Sequence, residues 1–207
     1  MLKNVLYFIA SIVIFFAGVI LYGMILNLSE PSLPEMMVSK GLRYLVNVKI
    51  QVDRKNYKLN LYSDTILVKS YKAVFGRNSN SPKIFTKDYK TPVGKYVICD
   101  IDTSSTYNKF FRLNYPNKND LAEALKAKLI SNKEYQQMYN DLEQGDCPTV
   151  KDETLIIGIH GIGRLNAIFK NLPFVFNWTN GSIAVSNEDI DEIYSAIKKG
   201  TEVVITN

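Results

Sequence analysis

The strongest constraint in this sequence is a run without a single charge, Val5 to Leu26, which reads VLYFIASIVIFFAGVILYGMIL. A core helix of a water-soluble domain rarely stays apolar all round for so long. At about 1.5 Å of rise per residue the run is long enough to cross a hydrocarbon layer of about 30 Å. A cleaved leader has a shorter apolar region, roughly 7–15 residues, ending at a small-x-small site. Met24-Ile25-Leu26-Asn27-Leu28 offers no such site, and no cysteine adjoins it that would mark a lipid-modified leader. The expectation is an uncleaved signal anchor, with a cytoplasmic stub and transmembrane segment over residues 1–28 and the lipid-crossing part at 5–26. Lys3 precedes the span, and Glu30 and Glu35 follow it. Positive charge is retained inside, so the expected location is a single-pass protein of the cytoplasmic (inner) membrane with the remainder outside, in the periplasm.

Ser29 to Pro34 (Ser-Glu-Pro-Ser-Leu-Pro) reads as a stiffened spacer, because proline restricts itself and its predecessor. A linker is expected over 29–45 and one folded domain over 46–207, a normal size for a single core. Within that domain Val46–Asp53 alternates, with Val46, Val48, Ile50 and Val52 on one face. Tyr57–Tyr62 alternates again, and Thr65–Phe75 is β-branched and aromatic up to Gly76, so a three-strand meander is predicted. Lys95–Ile98, Leu155–Ile159, Ile183–Val185 and Glu202–Ile205 are the further strands.

Helical spacing appears at Leu121, Ala124, Leu125 and Leu129, with Asn119 or Asp120 as the expected cap. Ser131-Asn132-Lys133-Glu134 and Ser186-Asn187-Glu188-Asp189 are capping-box patterns that open two more helices, ended by Gly145 and Gly200. Strands dominate. The expected fold class is mainly β, a sandwich or barrel with two or three peripheral helices, plus the N-terminal transmembrane helix.

The net charge of +5 includes no dense basic run interleaved with aromatics, so nucleic-acid binding has no support; an anionic wall or membrane surface suits it. One histidine and two cysteines speak against a zinc site of the usual ligand kind. Cys99 and Cys147 could pair outside the cytoplasm or stay free.

His160, the only histidine, ends an apolar strand before Gly161. Taken alone, a single histidine is as readily a structural hydrogen-bonding residue. Gly181 permits a positive φ just before Ser182, which would display its hydroxyl and amide at a sharp turn. Asn180-Gly181 is equally a plain hairpin signal.

Taken together, Ile159-His160-Gly161 and Trp178-Thr179-Asn180-Gly181-Ser182-Ile183 resemble the signature of the YkuD-type L,D-transpeptidase family, in which an Ile-His-Gly strand end precedes a Gly-Cys-Ile turn and a helix. The interval fits the subgroup with a Trp-Thr-x-Gly-Cys turn. Val52 to Tyr62 looks like the family's opening hairpin, Thr91-Pro92-Val93-Gly94-Lys95-Tyr96 matches its Thr-Pro-x-Gly element, and Arg112-Leu113-Asn114-Tyr115-Pro116-Asn117 is typical of the subgroup. The likeness spans about Val48 to Ile205. It implies acyl transfer on peptidoglycan stem peptides. A nucleophile at 182 attacks the third residue's carbonyl and expels the terminal D-alanine, and an amine or water resolves the acyl-enzyme. His160 would be the base, and the amides of Gly181 and Ser182 the oxyanion donors. Arg112, Gly161, Arg164, Trp178 and Asn180 are the expected substrate contacts, although Arg112, Arg164 and Trp178 could equally be solvated or packing residues. No metal or organic cofactor is implied. A wall-linked lipoprotein is among the acceptors used by this family.

The departures are specific. Ser182 stands where the family has cysteine, Asn180 where many members carry a second histidine, and Ala184 where an arginine is common. A serine hydroxyl is far less acidic than a thiol and needs a well-oriented base during attack. Three readings stay open at position 182: a residue introduced in place of cysteine, a native serine nucleophile with impaired turnover, and a non-catalytic relative that binds wall peptides. Ser195-Ala196-Ile197-Lys198 matches the S-x-x-K pattern of penicillin-binding enzymes, but it lies late in a helix without its companion motifs.

Overall fold

The structure is a computed structural model that describes residues 2–28, 30–76, 88–172 and 175–207. Helix α1 (Leu2–Leu28) is exposed from Leu2 to Gly18, half-buried at Val19, Ile20 and Gly23, and long and apolar enough to cross a membrane. Inside the stretch read as a linker, 29–45, Leu33–Ser39 forms a short helix, α2. Ser32 caps it, with the Glu35 carboxylate returning to the Ser32 amide, and Pro34 sits in the first turn, where a missing N–H costs nothing. Leu33 is buried in the core.

The strands are β1 (Val48–Asp53), β2 (Lys58–Ser63), β3 (Ile66–Lys72), β4 (Gly94–Asp102), β5 (Phe110–Leu113), β6 (Gly158–Gly161), β7 (Ile183–Val185) and β8 (Glu202–Thr206). They form one sheet in the order β3-β2-β1-β8-β4-β5-β6-β7. Past β3, Val74 bridges Ala184 of β7, so the two ends of the sheet approach each other and the barrel is nearly closed. The period of two decides the interior: Ile50, Val52, Leu59, Leu61, Phe111, Ile159, Ile183, Val203 and Ile205 all point inward and are buried.

Several boundaries differ from the sequence reading; β1 starts at Val48 rather than Val46, and β3 ends at Lys72 rather than Phe75. β4 runs on to Asp102 because a bulge at Cys99, between the pairs Ile98↔Leu113 and Asp100↔Arg112, breaks the alternation that marks a strand. β6 starts only at Gly158, because Asp152 caps a 3-10 turn at Glu153–Leu155 and takes those residues out of the strand. Helix α3 (Lys118–Lys126) is capped by Asn117 rather than by Asn119 or Asp120; the Asn117 side chain accepts from both of their amides. Leu129 lies beyond α3 and is exposed. Helix α4 (Asn132–Glu143) opens at the Ser131 box as expected. A four-residue helix, α5 (Asn166–Phe169), follows β6. Helix α6 (Asn187–Ala196), capped by Ser186, stops before Gly200 because Ile197 is already extended. Ile190 and Ile193 seat α6 on the core. The Ser195 hydroxyl donates to the Glu192 carbonyl of its own helix at 2.6 Å.

A disulfide joins Cys99 of β4 to Cys147 in the loop after α4, settling the pairing that the sequence left open.

Candidate active site

Three short strands carry the candidate residues. Phe110 and Arg112 of β5 pair with His160 and Gly158 of β6, while Ile159 and His160 pair with Ile183 and Ala184 of β7. Phe111, Ile159 and Ile183 face the core, so their neighbours Phe110, Arg112, His160 and Ala184 share the opposite face. Ser182 stands one position before β7, where the same register puts it beside Gly158 on that face, and the Gly158 amide donates to Ser182 Oγ at 3.1 Å. Gly158 adds no side chain, and the Phe110 ring lies over it: a Cβ there would meet Phe110 Cζ at 2.5 Å.

His160 is 4% exposed. Its Nδ1 lies 2.7 Å from the Gly161 carbonyl oxygen. That oxygen can only accept, so Nδ1 carries the hydrogen and Nε2 of the neutral ring is the acceptor. Aromatic rings wall it in: Tyr107 at 4.6 Å, Phe110 nearly parallel at 6.0 Å and Trp178 edge-on at 6.0 Å between centroids. Burial pushes its pKa down to about 4, against the smaller opposing effect of the Gly161 bond, so the ring is neutral at pH 7. Among the described residues, no hydrogen bond joins His160 to Ser182.

The turn holding Ser182 is tied from inside. Gly181 has φ +112°, and a Cβ there would meet the Lys90 carbonyl oxygen at 2.7 Å and Ile157 Cδ1 at 2.9 Å, so only glycine suits the position. The Thr179 hydroxyl donates to the Ser182 carbonyl at 2.6 Å and accepts from the Gly181 amide at 3.3 Å. The Gly181 amide, an expected oxyanion donor, is thus engaged within the turn. Thr91 of the Thr-Pro-x-Gly element accepts from the Gly76 amide at 2.9 Å, and Gly76 is packed against the Gly181 backbone.

The expected substrate contacts divide. Trp178 stands beside His160, half-buried, and Gly161 supplies the carbonyl that orients the ring. Arg112 shares the face, but its Nη2 donates to the Pro148 carbonyl at 2.7 Å, next to the disulfide. Burial lowers its pKa, with Asp100 and Asp141 acting in the other direction. Asn180 is exposed at the turn, and Arg164 is exposed in the 3-10 turn Gly163–Leu165 that follows β6. The sequence did not single out Tyr107 or Phe110, and it gave Thr179 and Asn187 only as members of the turn motif and of a capping box; the Asn187 side chain brackets Gly163 by accepting from its amide at 2.8 Å and donating to its carbonyl at 3.0 Å.

A cavity of about 190 Å³ lies beside this face, lined by Lys69, Lys72, Val74, Trp178, Ala184 and Asp189 among others. It reaches the site through Trp178 and Ala184; neither His160 nor Ser182 lines it. It combines cationic and anionic groups, and burial raises the pKa of Asp189 to about 6.

Residues 47–205 match the family model described as YkuD, L,D-transpeptidase catalytic domain. Among curated proteins, none matches the sequence. Solved structures with a similar course include Bd1075 from Bdellovibrio bacteriovorus, 21% identical with a TM-score of 0.47 over 78% of this chain and 48% of that one. The helical cell shape determining protein Pgp2 from Campylobacter jejuni is 18% identical with a TM-score of 0.47, covering 77% of this chain and 47% of Pgp2. An L,D-transpeptidase (residues 123–326) from Xylanimonas cellulosilytica is 14% identical with a TM-score of 0.44, covering 79% and 62%. The chain therefore spans less than two thirds of each of these structures.

Proposed function

This chain belongs to the YkuD family of L,D-transpeptidase catalytic domains, and from that premise we propose that it performs slow acyl transfer on peptidoglycan stem peptides, with Ser182 as nucleophile and His160 as base. Support comes from one observation above all: the two residues project from adjacent parallel strands onto one face, with Nε2 of the neutral imidazole as the acceptor. The hydroxyl leaves the Gly158 amide by rotating about χ1 and attacks the carbonyl of the third stem residue. Nε2 takes its proton and passes it to the departing amine of D-alanine. An incoming amine, or water, then attacks the ester, gives its proton to Nε2 and restores the Ser182 hydroxyl. Cross-linking, attachment of a lipoprotein and hydrolysis differ only in that second nucleophile, whereas release of a lipoprotein has the lipoprotein's amine as the first leaving group in place of D-alanine, and water as the second nucleophile. The mixed-charge cavity beside Trp178 suits a peptide that carries both carboxylates and an amine.

Two features argue for slowness. A base held near pKa 4 is a weak acceptor for a hydroxyl proton, and His160 is oriented by a backbone carbonyl rather than by a carboxylate. They also favour a second reading, a peptide-binding domain without turnover. The proposed topology has α1 as a membrane anchor and the domain outside.

Release of D-alanine from tetrapeptide muropeptides decides between the two. The expected result is low turnover in the parent, at least tenfold more in Ser182→Cys and none in Ser182→Ala. Full turnover in Ser182→Ala would remove Ser182 from the mechanism. Binding without release in the parent would establish the second reading.

A further inference from the structure

The segment after β6 carries large apolar side chains in the open: Leu165 is 53% exposed and Ile168 47%, with Phe176 at 39% further along. Exposed Arg164 stands beside them. The same segment touches the N-terminal helix. A Cβ on Gly23 of α1 would lie 2.1 Å from the Asn171 carbonyl oxygen and 3.0 Å from its Cα, so glycine admits a direct backbone approach. Gly23 is three residues before Leu26, the end of the apolar span. At 1.5 Å per residue that places Asn171 about 4.5 Å inside the outer end of the span, where acyl chains meet headgroups. The Asn171 side chain is suited to that depth, because it is 2% exposed and its amide nitrogen donates to the Ala167 carbonyl at 2.7 Å. From this contact a series of rings runs inward: Phe176 to Phe169 at 5.6 Å, Phe169 to Trp178 at 5.9 Å and Trp178 to His160 at 6.0 Å.

We propose that Leu165, Ile168 and Phe176 form a second membrane contact, seated in the outer leaflet of the bilayer that α1 crosses, so that the site opens at the lipid surface and takes peptides from the membrane-proximal wall layer. The proposal rests on α1 being a membrane anchor. Three observations carry it: exposed apolar groups on one short segment, continuity with the end of the span through Gly23, and an exposed arginine, Arg164, adjoining Leu165 and able to pair with lipid phosphates.

The chain has a single tryptophan, Trp178, so a clean reporter can be placed by Ile168→Trp in a Trp178→Phe background. The full-length protein is reconstituted in bilayers of brominated phosphatidylcholine, with Leu129→Trp in the same background as a distant exposed control. Quenching of at least half the emission at position 168, against little at 129, is expected. Gly23→Leu keeps the span apolar and should reduce quenching at 168 to the control level while the protein stays in the bilayer. Equal weak quenching at both positions, in protein that resists alkaline extraction, overturns the docking and leaves the anchor standing. Release by alkaline extraction overturns both. A concentration-dependent loss of exposure at 168 in detergent without lipid would assign the face to a second copy and overturn the bilayer contact.

Discussion

Along β1, β2 and β8 the chain keeps its shape by alternation, whereas around β6 and β7 it is held by side chains bonded to backbone. β1 pairs with β2 without a break from Val48↔Ser63 to Asp53↔Lys58, and with β8 from Lys49↔Glu202 to Asp53↔Thr206. The residues this turns inward, among them Leu59, Leu61 and Val203, are 0% exposed. β6 and β7 share only Ile159↔Ile183 to Gly161↔Val185. What fixes their surroundings is Thr179 on the Ser182 carbonyl, Asn187 on Gly163, Asn177 on the Phe75 amide and Thr91 on the Gly76 amide. Apolar burial is tolerant of sequence and spreads its stabilisation over many contacts. A side-chain-to-backbone bond acts at one place and demands one residue type. The first half should therefore govern global stability, and the second the geometry of the site.

Leu61→Ala tests the first half and carries the largest expected effect. A fully buried leucine truncated in a packed interior costs about 2–5 kcal/mol, read as a lower urea midpoint. Turnover per folded molecule should stay near the parent's. A loss of turnover without a shift in midpoint would erase the distinction between the halves.

Next in size is the disulfide. Reducing Cys99–Cys147 frees the loop that holds Arg112 through Pro148, and loss of such a crosslink costs about 2–4 kcal/mol. The urea midpoint in reductant, compared with that of Cys99→Ala with Cys147→Ala, measures it. An unchanged midpoint would mean that α3 and α4 hold this edge of the barrel without the bond.

These two halves were not equally legible in the sequence. The alternation of Ile50 and Val52, of Leu59 and Leu61, and of Val203 and Ile205 marks the barrel, because period two has one physical cause. His160 and Ser182 were visible through the motif around them, and the register then brought them to one face. The bulge at Cys99 hid the second half of β4, and the apolar Leu155–Ile157 stretch imitated strand although a 3-10 turn claims its start. Thr179 stood only as one residue of the motif, and Tyr107 and Phe110 left no mark at all, since a threonine or aromatic looks like any packing residue until its partner is known.

Thr179→Val sharpens the second half. It keeps the shape and removes the hydroxyl that bridges the Ser182 carbonyl and the Gly181 amide. Leaving such buried groups unpaired costs about 1–3 kcal/mol, less than Leu61→Ala at its upper end. D-alanine release should nevertheless fall further than in Leu61→Ala, because the turn that carries the proposed nucleophile loses its clasp. Equal losses of release in the two variants would show that the turn is held by the barrel alone.

The smallest expected effect is the response of the site to pH between 6.5 and 8. With the folded pKa of His160 pushed down to about 4 by burial, the imidazole is neutral through that whole interval, in folded and largely in unfolded chains alike. The only histidine in the chain should then show a flat NMR titration from pH 8 to 6.5 and a midpoint near 4. The sign for stability follows. Between about 6.5 and 4 the unfolded chain binds a proton at this position that the folded chain does not, so the contribution is fully present above 6.5 and is lost as pH falls through that window. Asp189 and Asp120, both raised to about 6 by burial, act oppositely: each takes its proton first in the folded chain and favours folding as pH falls toward 4. His160→Gln removes the first contribution and leaves the other two, so between pH 6.5 and 4 its stability should shift toward the folded state relative to the parent's. If the stabilities of the parent and His160→Gln change in parallel with pH, the imidazole is open to water, and the aromatic wall of Tyr107, Phe110 and Trp178 does not seal the site.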